Sequence, residues 1–196
     1  MKSYKLIGLT GATGAGKSEV AALFEQSGFA VVSADLLARE IMNNPLVPEL
    51  LSRCFGADIL KNGEPDRSLL AERAFSSREN TALLNSVTHP FITELFLREL
   101  RRLSDAGQRK ILFDAPQLFE SGLDVLCDLT VAVTAPPDER LKRVRERDGL
   151  SEQDALRRIG VQFTDGFFAE KCDFVIENGS TLTALAEKVE EIILRI

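Results

Sequence analysis

Gly11-Ala12-Thr13-Gly14-Ala15-Gly16-Lys17-Ser18 is an unbroken G-x-x-x-x-G-K-S stretch, and its flanks decide how it is read. On the amino side, residues 4–9 are apolar enough for a short buried strand, with Leu6, Ile7 and Leu9 as its core. On the carboxyl side, residues 19–27 carry Val20, Leu23 and Phe24 at helical spacing. Strand, glycine-rich turn and helix is the context that a phosphate-binding loop requires. The glycines let successive N–H groups point inward, and the helix N-terminus adds a positive dipole end. Lys17 would reach the β- and γ-phosphates and the Ser18 hydroxyl would bind Mg²⁺, with Glu19 next in line on the helix. The alternative is a glycine-rich turn that binds nothing, but every fixed position is filled. The segment predicts binding of a nucleoside triphosphate, ATP being the ordinary choice.

A chain of 196 residues supports one globular unit with room for a small excursion. Its net charge of −6 argues against a protein whose main task is holding nucleic acid. The same charge is compatible with a local positive pocket for a small anion. Cys54, Cys127 and Cys172 are scattered without a C-x-x-C pair, which suggests reduced thiols in a cytoplasmic protein. No apolar run approaches the ~20 residues of a membrane span, so no membrane partner is expected. The start of the chain runs from Lys2 straight into the loop segment, which leaves no room for a signal peptide.

Beyond the first helix, Gly28 reads as a helix stop and residues 30–33 as a second strand leading to Asp35. Residues 36–103 read mostly helical, punctuated by Asn43-Asn44-Pro45, Asn62-Gly63 and His89-Pro90. Further strands are predicted at 110–114, 128–134 and 173–177. A charged helical region runs from 137 to about 159, and a closing helix carries Leu182, Leu185, Val189, Ile192 and Ile196. Alternating strands and helices predict a parallel sheet covered on both faces, with the ligand beyond the carboxyl ends of its strands. Gly11, Asp35 and Asp114 all fall at or just past such ends.

Ile111-Leu112-Phe113-Asp114 is an apolar strand ending in a carboxylate, a position from which Asp114 can hold a phosphate-bound Mg²⁺. Its bland reading is a strand-end or helix-cap aspartate. Asp35 either accepts the proton of an attacking hydroxyl or caps the helix over 36–42. Arg140, Arg143 and Arg147 fall on one helical stripe, with Leu141 and Val144 on another face. Such a helix is either a solvated surface or a lid that closes guanidinium groups over a triphosphate. His89, the sole histidine, precedes a proline that marks a helix start or kink, and reads equally as packing or as a substrate-side group.

Taken together, these segments resemble the dephospho-CoA kinase family nearly end to end. The resemblance is carried by Gly8-Leu9-Thr10-Gly11 through Ser18, Ala34-Asp35 with Ala38-Arg39, Phe55-Gly56, and His89-Pro90-Phe91-Ile92. It continues through Pro116-Gln117-Leu118-Phe119-Glu120, Leu141-Lys142-Arg143, Arg147-Asp148, Ile159 to Gln162, and Cys172 to Gly179. It implies a P-loop NTPase fold, a three-layer α/β/α sandwich on a five-stranded parallel sheet, with a core over 1–35, 105–136 and 171–196. It further implies a helical coenzyme-A-binding insertion over 36–104 and a helical lid over 137–170.

The reaction implied is transfer of the ATP γ-phosphoryl group to the ribose 3′-hydroxyl of dephospho-CoA. Asp35 matches the family's base, Lys17 and Arg143 its cationic groups, and Arg39, His89, Phe119 and Glu120 its substrate side. Three departures stand out. Ser33 occupies a place where many members carry a further aspartate, and Gln117 replaces an apolar residue. The run Phe163-Thr164-Asp165-Gly166-Phe167-Phe168 replaces a basic and acidic stretch. Rival readings are another small P-loop kinase acting on a nucleoside, nucleotide or other alcohol, and a nucleotide-dependent switch. For the switch, no N-K-x-D segment for guanine recognition is found.

Overall fold

The computed structural model describes residues 3–160 and 162–196. Its first strand, β1 (Lys5–Gly11), runs two residues further than the apolar pattern suggested, because backbone pairing continues into the glycine loop. Gly11 is in register with Val133 of β6 (Leu129–Thr134), so the loop departs from the end of a paired strand. Helix α1 (Lys17–Gln26) follows, then β2 (Ala30–Ser33) and α2 (Ala34–Glu40). Ser33 caps α2, its hydroxyl accepting the Leu36 N–H at 3.4 Å. The capping role left open for Asp35 therefore belongs to Ser33, and Asp35 sits in the first turn of the helix.

The chain forms two compact units. Ser33–Arg102 is one of them, and it contains α3 (Leu46–Phe55), a small hairpin of β3 (Leu60–Lys61) and β4 (Glu64–Pro65), and α4 (Arg67–Ala74). It also contains most of α5 (Arg78–Asp105). The helical reading missed the hairpin. Its cause is Asn62-Gly63, where both residues have positive φ, 55° and 85°, as a two-residue turn between antiparallel strands demands. His89-Pro90 neither starts nor ends a helix: α5 runs through it for 28 residues. Pro90 removes one N–H from the ladder but leaves the helix intact, and the neighbouring Thr88 hydroxyl donates to the Leu84 carbonyl at 3.0 Å. Ile41, Val47, Leu51, Phe55, Ile59, Leu70 and Ala74 form this unit's own core.

The other unit holds the sheet, whose order is β2-β5-β1-β6-β7, with β5 at Lys110–Asp114 and β7 at Phe174–Glu177. The sheet is parallel and its central strand β1 is apolar on both faces, as burial between two helical layers requires. On one face Ile7, Leu9, Leu112, Val131, Val133 and Ile176 pack under α1 and α9 (Leu182–Arg195). Phe24 of α1 is fully buried there, which removes about 1.5–3 kcal/mol worth of apolar surface from water. In α9, Leu185, Val189 and Ile192 are buried as their spacing predicts, whereas Leu182, at the first helical position, is 73% exposed. On the opposite face Ala12 and Ala132 pack against Phe168 of α8 (Asp165–Lys171).

Two aspartates just before strands fix the register. The Asp128 carboxylate accepts the Leu6 N–H at 2.7 Å, and that of Asp173 accepts both the N–H and the hydroxyl of Thr130. Both residues were expected inside strands; the structure uses their side chains as acceptors at strand starts instead. The charged region after β6 is two helices, α6 (Pro137–Asp148) and α7 (Glu152–Gly160), separated at Gly149, which has φ of 64°.

Candidate active site

Helix α1 begins without a side-chain cap: its N-cap is Gly16 in the left-handed region. Ser33, Asp66, Thr164 and Thr181 cap their helices with side-chain oxygens. Among the described residues, the N–H groups of Gly14, Gly16, Lys17 and Ser18 make no hydrogen bond. A helix N-terminus with free donors and no competing oxygen is suited to a phosphate.

The loop is braced from behind. The Asn178 side chain, buried just after β7, donates to the Ala15 carbonyl at 3.0 Å, while its own N–H donates to Thr134 at 2.7 Å. A Cβ at Gly16 would overlap the Asn178 amide nitrogen, and the φ of 88° there is strained for any other residue. Gly16→Ala is therefore expected to cost roughly 2 kcal/mol or more by urea denaturation. Asn178→Ala in the same chain should recover part of that loss, because it removes the overlap and leaves only the backbone strain. Asn178 was absent from the site residues read from sequence. Its only signal there was its place in the matched run from Cys172 to Gly179.

The Lys17 ammonium is paired with the Asp114 carboxylate, the side chains being 14% and 16% exposed. Asp114 ends β5 opposite Leu9 of β1, so adjacent parallel strands deliver the lysine-bearing loop and the carboxylate to one edge. The Ser18 hydroxyl and Glu19 side chain stand exposed at the start of α1.

Helix α6 approaches the loop closely. A Cβ at Gly14 would press on the Arg140 carbonyl and the Val144 side chain, and the backbone there has φ of 77°. Arg140 and Val144 share the buried face of α6; the sequence reading had set Val144 on a different face. Arg140, 6% exposed, donates from Nε to the Thr13 carbonyl at 3.2 Å and pairs with Asp165 at 3.3 Å. Arg143 donates to the Gly14 carbonyl at 3.3 Å and stays half-buried. Arg147, one turn further on, is exposed and its guanidinium is bonded to Asp148. The three arginines therefore divide into a brace, a loop-facing cation and a surface pair.

Near α8, Phe119 and Phe167 meet edge to face at 5.3 Å between ring centroids, and Phe163 stacks on Phe167 at 3.8 Å. The Glu120 carboxyl is at the surface, yet the protein around it pushes its pKa above the ordinary carboxylate value by desolvation. Burial also pushes the Cys172 thiol up to about 11, so it stays protonated at neutral pH and is a poor nucleophile or metal ligand. In the other unit, Asp35 and Arg39 are exposed four residues apart on α2, and neither makes an ion pair with another described residue. His89 is half-buried on α5.

A family model described as dephospho-CoA kinase (CoaE) matches residues 5–184. The chain belongs to the dephospho-CoA kinase family. A dephospho-CoA kinase of Corynebacterium glutamicum is 43% identical over 193 residues, covering 97% of this chain and 96% of that protein. A crystal structure from Thermus thermophilus superimposes with a TM-score of 0.84 at 33% identity, covering 100% of this chain and 99% of the other. The dephospho-CoA kinase of Campylobacter jejuni gives 0.69 at 27% identity, covering 96% and 95%. The matched span includes the loop, Asp35, Asp114 and the helices from α6 to α8. As a dephospho-CoA kinase this chain is a phosphotransferase that uses ATP on dephospho-CoA in the last step of coenzyme A biosynthesis. Among the described residues no helix is long and apolar enough to cross a membrane.

The divided arginines set up a direct test. Arg143→Ala should lower turnover by ~10-fold or more with little change in stability, since its guanidinium lies at the loop without bracing a buried partner. Arg140→Ala should lose stability as well, because it strands the Asp165 carboxylate and removes a buried contact. Arg147→Ala should be silent in both. The check is turnover alongside the urea midpoint for all three variants.

Proposed function

We propose that the kinase binds ATP on the Gly11–Ser18 loop with Mg²⁺, and that Asp35 orients and deprotonates the ribose 3′-hydroxyl of dephospho-CoA. The observation that carries the nucleotide half is the uncapped start of α1 beside the Lys17–Asp114 pair. Phosphate oxygens supply what that arrangement lacks, namely acceptors for the free N–H groups at the start of the helix. Lys17 exchanges Asp114 for the β- and γ-phosphates, where charge-assisted bonds follow the shift of charge during transfer.

The donor set fits a hard cation. The Ser18 hydroxyl and Asp114 carboxylate are oxygen ligands of the sort Mg²⁺ takes, with phosphate oxygens and water completing its shell. The described residues contain no cluster of three acidic, histidine or cysteine side chains for an all-protein metal cage. When bound, the ion would neutralise charge on the phosphates and hold them in line.

On the acceptor side, Asp35 is supported by three facts: it matches the family motif, it lies two residues past the carboxyl end of β2, and Ser33 relieves it of capping. Arg39, His89, Phe119 and Glu120 are assigned to dephospho-CoA by the same motifs, with 36–104 as its binding region and 137–170 as the lid. Arg143 is the lid cation for the migrating phosphoryl group. We assign its action to the cytoplasm, and no nucleic-acid partner is invoked.

ADP release should be measured in parallel with dephospho-CoA, adenosine, AMP and shikimate as acceptors. Turnover is expected only with dephospho-CoA. Equal rates with adenosine would show that nothing beyond the nucleoside is recognised, and would remove the substrate roles given to the 36–104 region.

A further inference from the structure

The backbone of Thr13 is held at both its N–H and its carbonyl. Arg140 donates to its carbonyl, and its N–H donates to the Gln162 side-chain oxygen at 2.8 Å, across 149 positions of sequence. Within the loop, the Ala15 N–H turns back to the Ala12 carbonyl at 3.1 Å. Thr13 thus has the one loop N–H among the described residues that is occupied by a distant side chain. Because the partner is a donor, the oxygen of the Gln162 carboxamide must be the end facing it, and the NH₂ end points elsewhere.

The chain beside Gln162 is fastened by other contacts. Phe163 stacks on Phe167, Asp165 pairs with Arg140, and Phe168 is buried against Ala12 and Ala132. These belong to the stretch where this sequence departs from the family pattern. With the backbone pinned by aromatic packing, releasing the carboxamide takes only rotation about side-chain bonds.

We propose that Gln162 is an exchangeable partner of the phosphate loop. It holds the Thr13 N–H as in this structure, gives that N–H up to a phosphate oxygen when ATP binds, and turns its NH₂ end to the same oxygen. A phosphate oxygen is a charged acceptor and forms a bond roughly twice as strong as a neutral amide does, so the exchange runs toward the nucleotide. A carboxamide suits both states because it carries an acceptor and two donors. A carboxylate serves only the first state and an ammonium only the second. A residue that merely stapled the loop would have no use for the donor end.

The proposal rests on ATP occupying the Gly11–Ser18 loop, and the test separates the two. ATP and ADP binding is measured by titration calorimetry on the full chain, with kcat and KM for ATP in the complete reaction. Gln162→Ala removes both the cap and the donor: ATP affinity should stay within about threefold, while kcat falls ~10-fold or more. Gln162→Glu keeps the cap but sets a fixed negative charge against incoming phosphates, so ATP affinity should fall ~10-fold or more.

If the parent protein binds no ATP, the loop reading itself fails. If the parent binds and Gln162→Glu binds equally well, the exchange is wrong. If Gln162→Ala loses ATP affinity as far as Gln162→Glu does, or keeps full kcat, the residue is a staple and the proposal falls. Should Gln162→Glu not fold, the split between kcat and affinity in Gln162→Ala still decides.

Discussion

Asp35→Asn is expected to keep ATP binding and lose turnover by ~10²- to 10⁴-fold. A ribose hydroxyl is a weak nucleophile at neutral pH, and a loose phosphoryl-transfer transition state needs little proton removal until late. The carboxylate therefore contributes position first and proton acceptance second. Asparagine keeps the size and one acceptor oxygen but cannot take the proton, so the substitution isolates the second contribution. Ser33 holds the cap of α2, so Asp35→Asn should leave that helix and the urea midpoint close to parental. Asp114→Asn should reduce turnover by another route, through the metal, and raised Mg²⁺ should recover part of its loss. No Mg²⁺ concentration should rescue Asp35→Asn. If Asp35→Asn retains most of its rate, the residue is not the base and its match to the family motif is positional only.

That prediction depends on what the sequence could and could not supply. The strand–loop–helix at residues 5–26 was legible because its signals are local: an apolar run, glycines where φ turns positive, and an amphipathic helix. The order of strands was less accessible, since β1 pairs with β5 and β6, about a hundred residues downstream, and nothing in β1 names its partners. The extra two residues of β1 and the strand-start roles of Asp128 and Asp173 come from the same source. They are settled by a neighbouring strand, not by their own sequence neighbourhood.

The helix α6 shows the limit most clearly. Helical spacing placed Arg140, Arg143 and Arg147 on one stripe, which is geometrically sound, but a stripe longer than the surface it meets cannot act uniformly. The loop contacts only its first two arginines through Thr13 and Gly14, while Arg147 lies beyond that contact and turns to Asp148. Gln162 and Asn178 were legible only as members of matched motifs. Each meets the loop through a single side-chain bond spanning roughly 150 residues or more, a relation that periodicity cannot encode. The His89-Pro90 pair erred in the other direction. A strong local signal for a helix boundary was overridden because a long helix tolerates one missing N–H when its other turns remain intact.

Lys17→Ala should lower the phosphoryl-transfer rate by at least ~10²-fold with the fold retained. In the structure the Lys17 ammonium neutralises Asp114, and both side chains are largely withdrawn from water. Removing the lysine leaves that carboxylate without its counter-charge, at a cost of roughly 1–2 kcal/mol, below the figure for a pair with no solvent access. Stability and rate therefore both change, and they must be measured separately. The double substitution Lys17→Ala with Asp114→Ala removes the stranded charge, so stability should partly return while the rate stays low. Lys17→Arg preserves the ion pair but replaces a compact point charge with a wide planar fork in a loop closed by Ala12 and Ala15. It should keep the urea midpoint and lose much of the rate. Single-turnover measurement at saturating ATP reads the chemical step without product release. A folded Lys17→Ala protein with a near-parental single-turnover rate would mean that the lysine serves Asp114 alone, and that the triphosphate lies elsewhere.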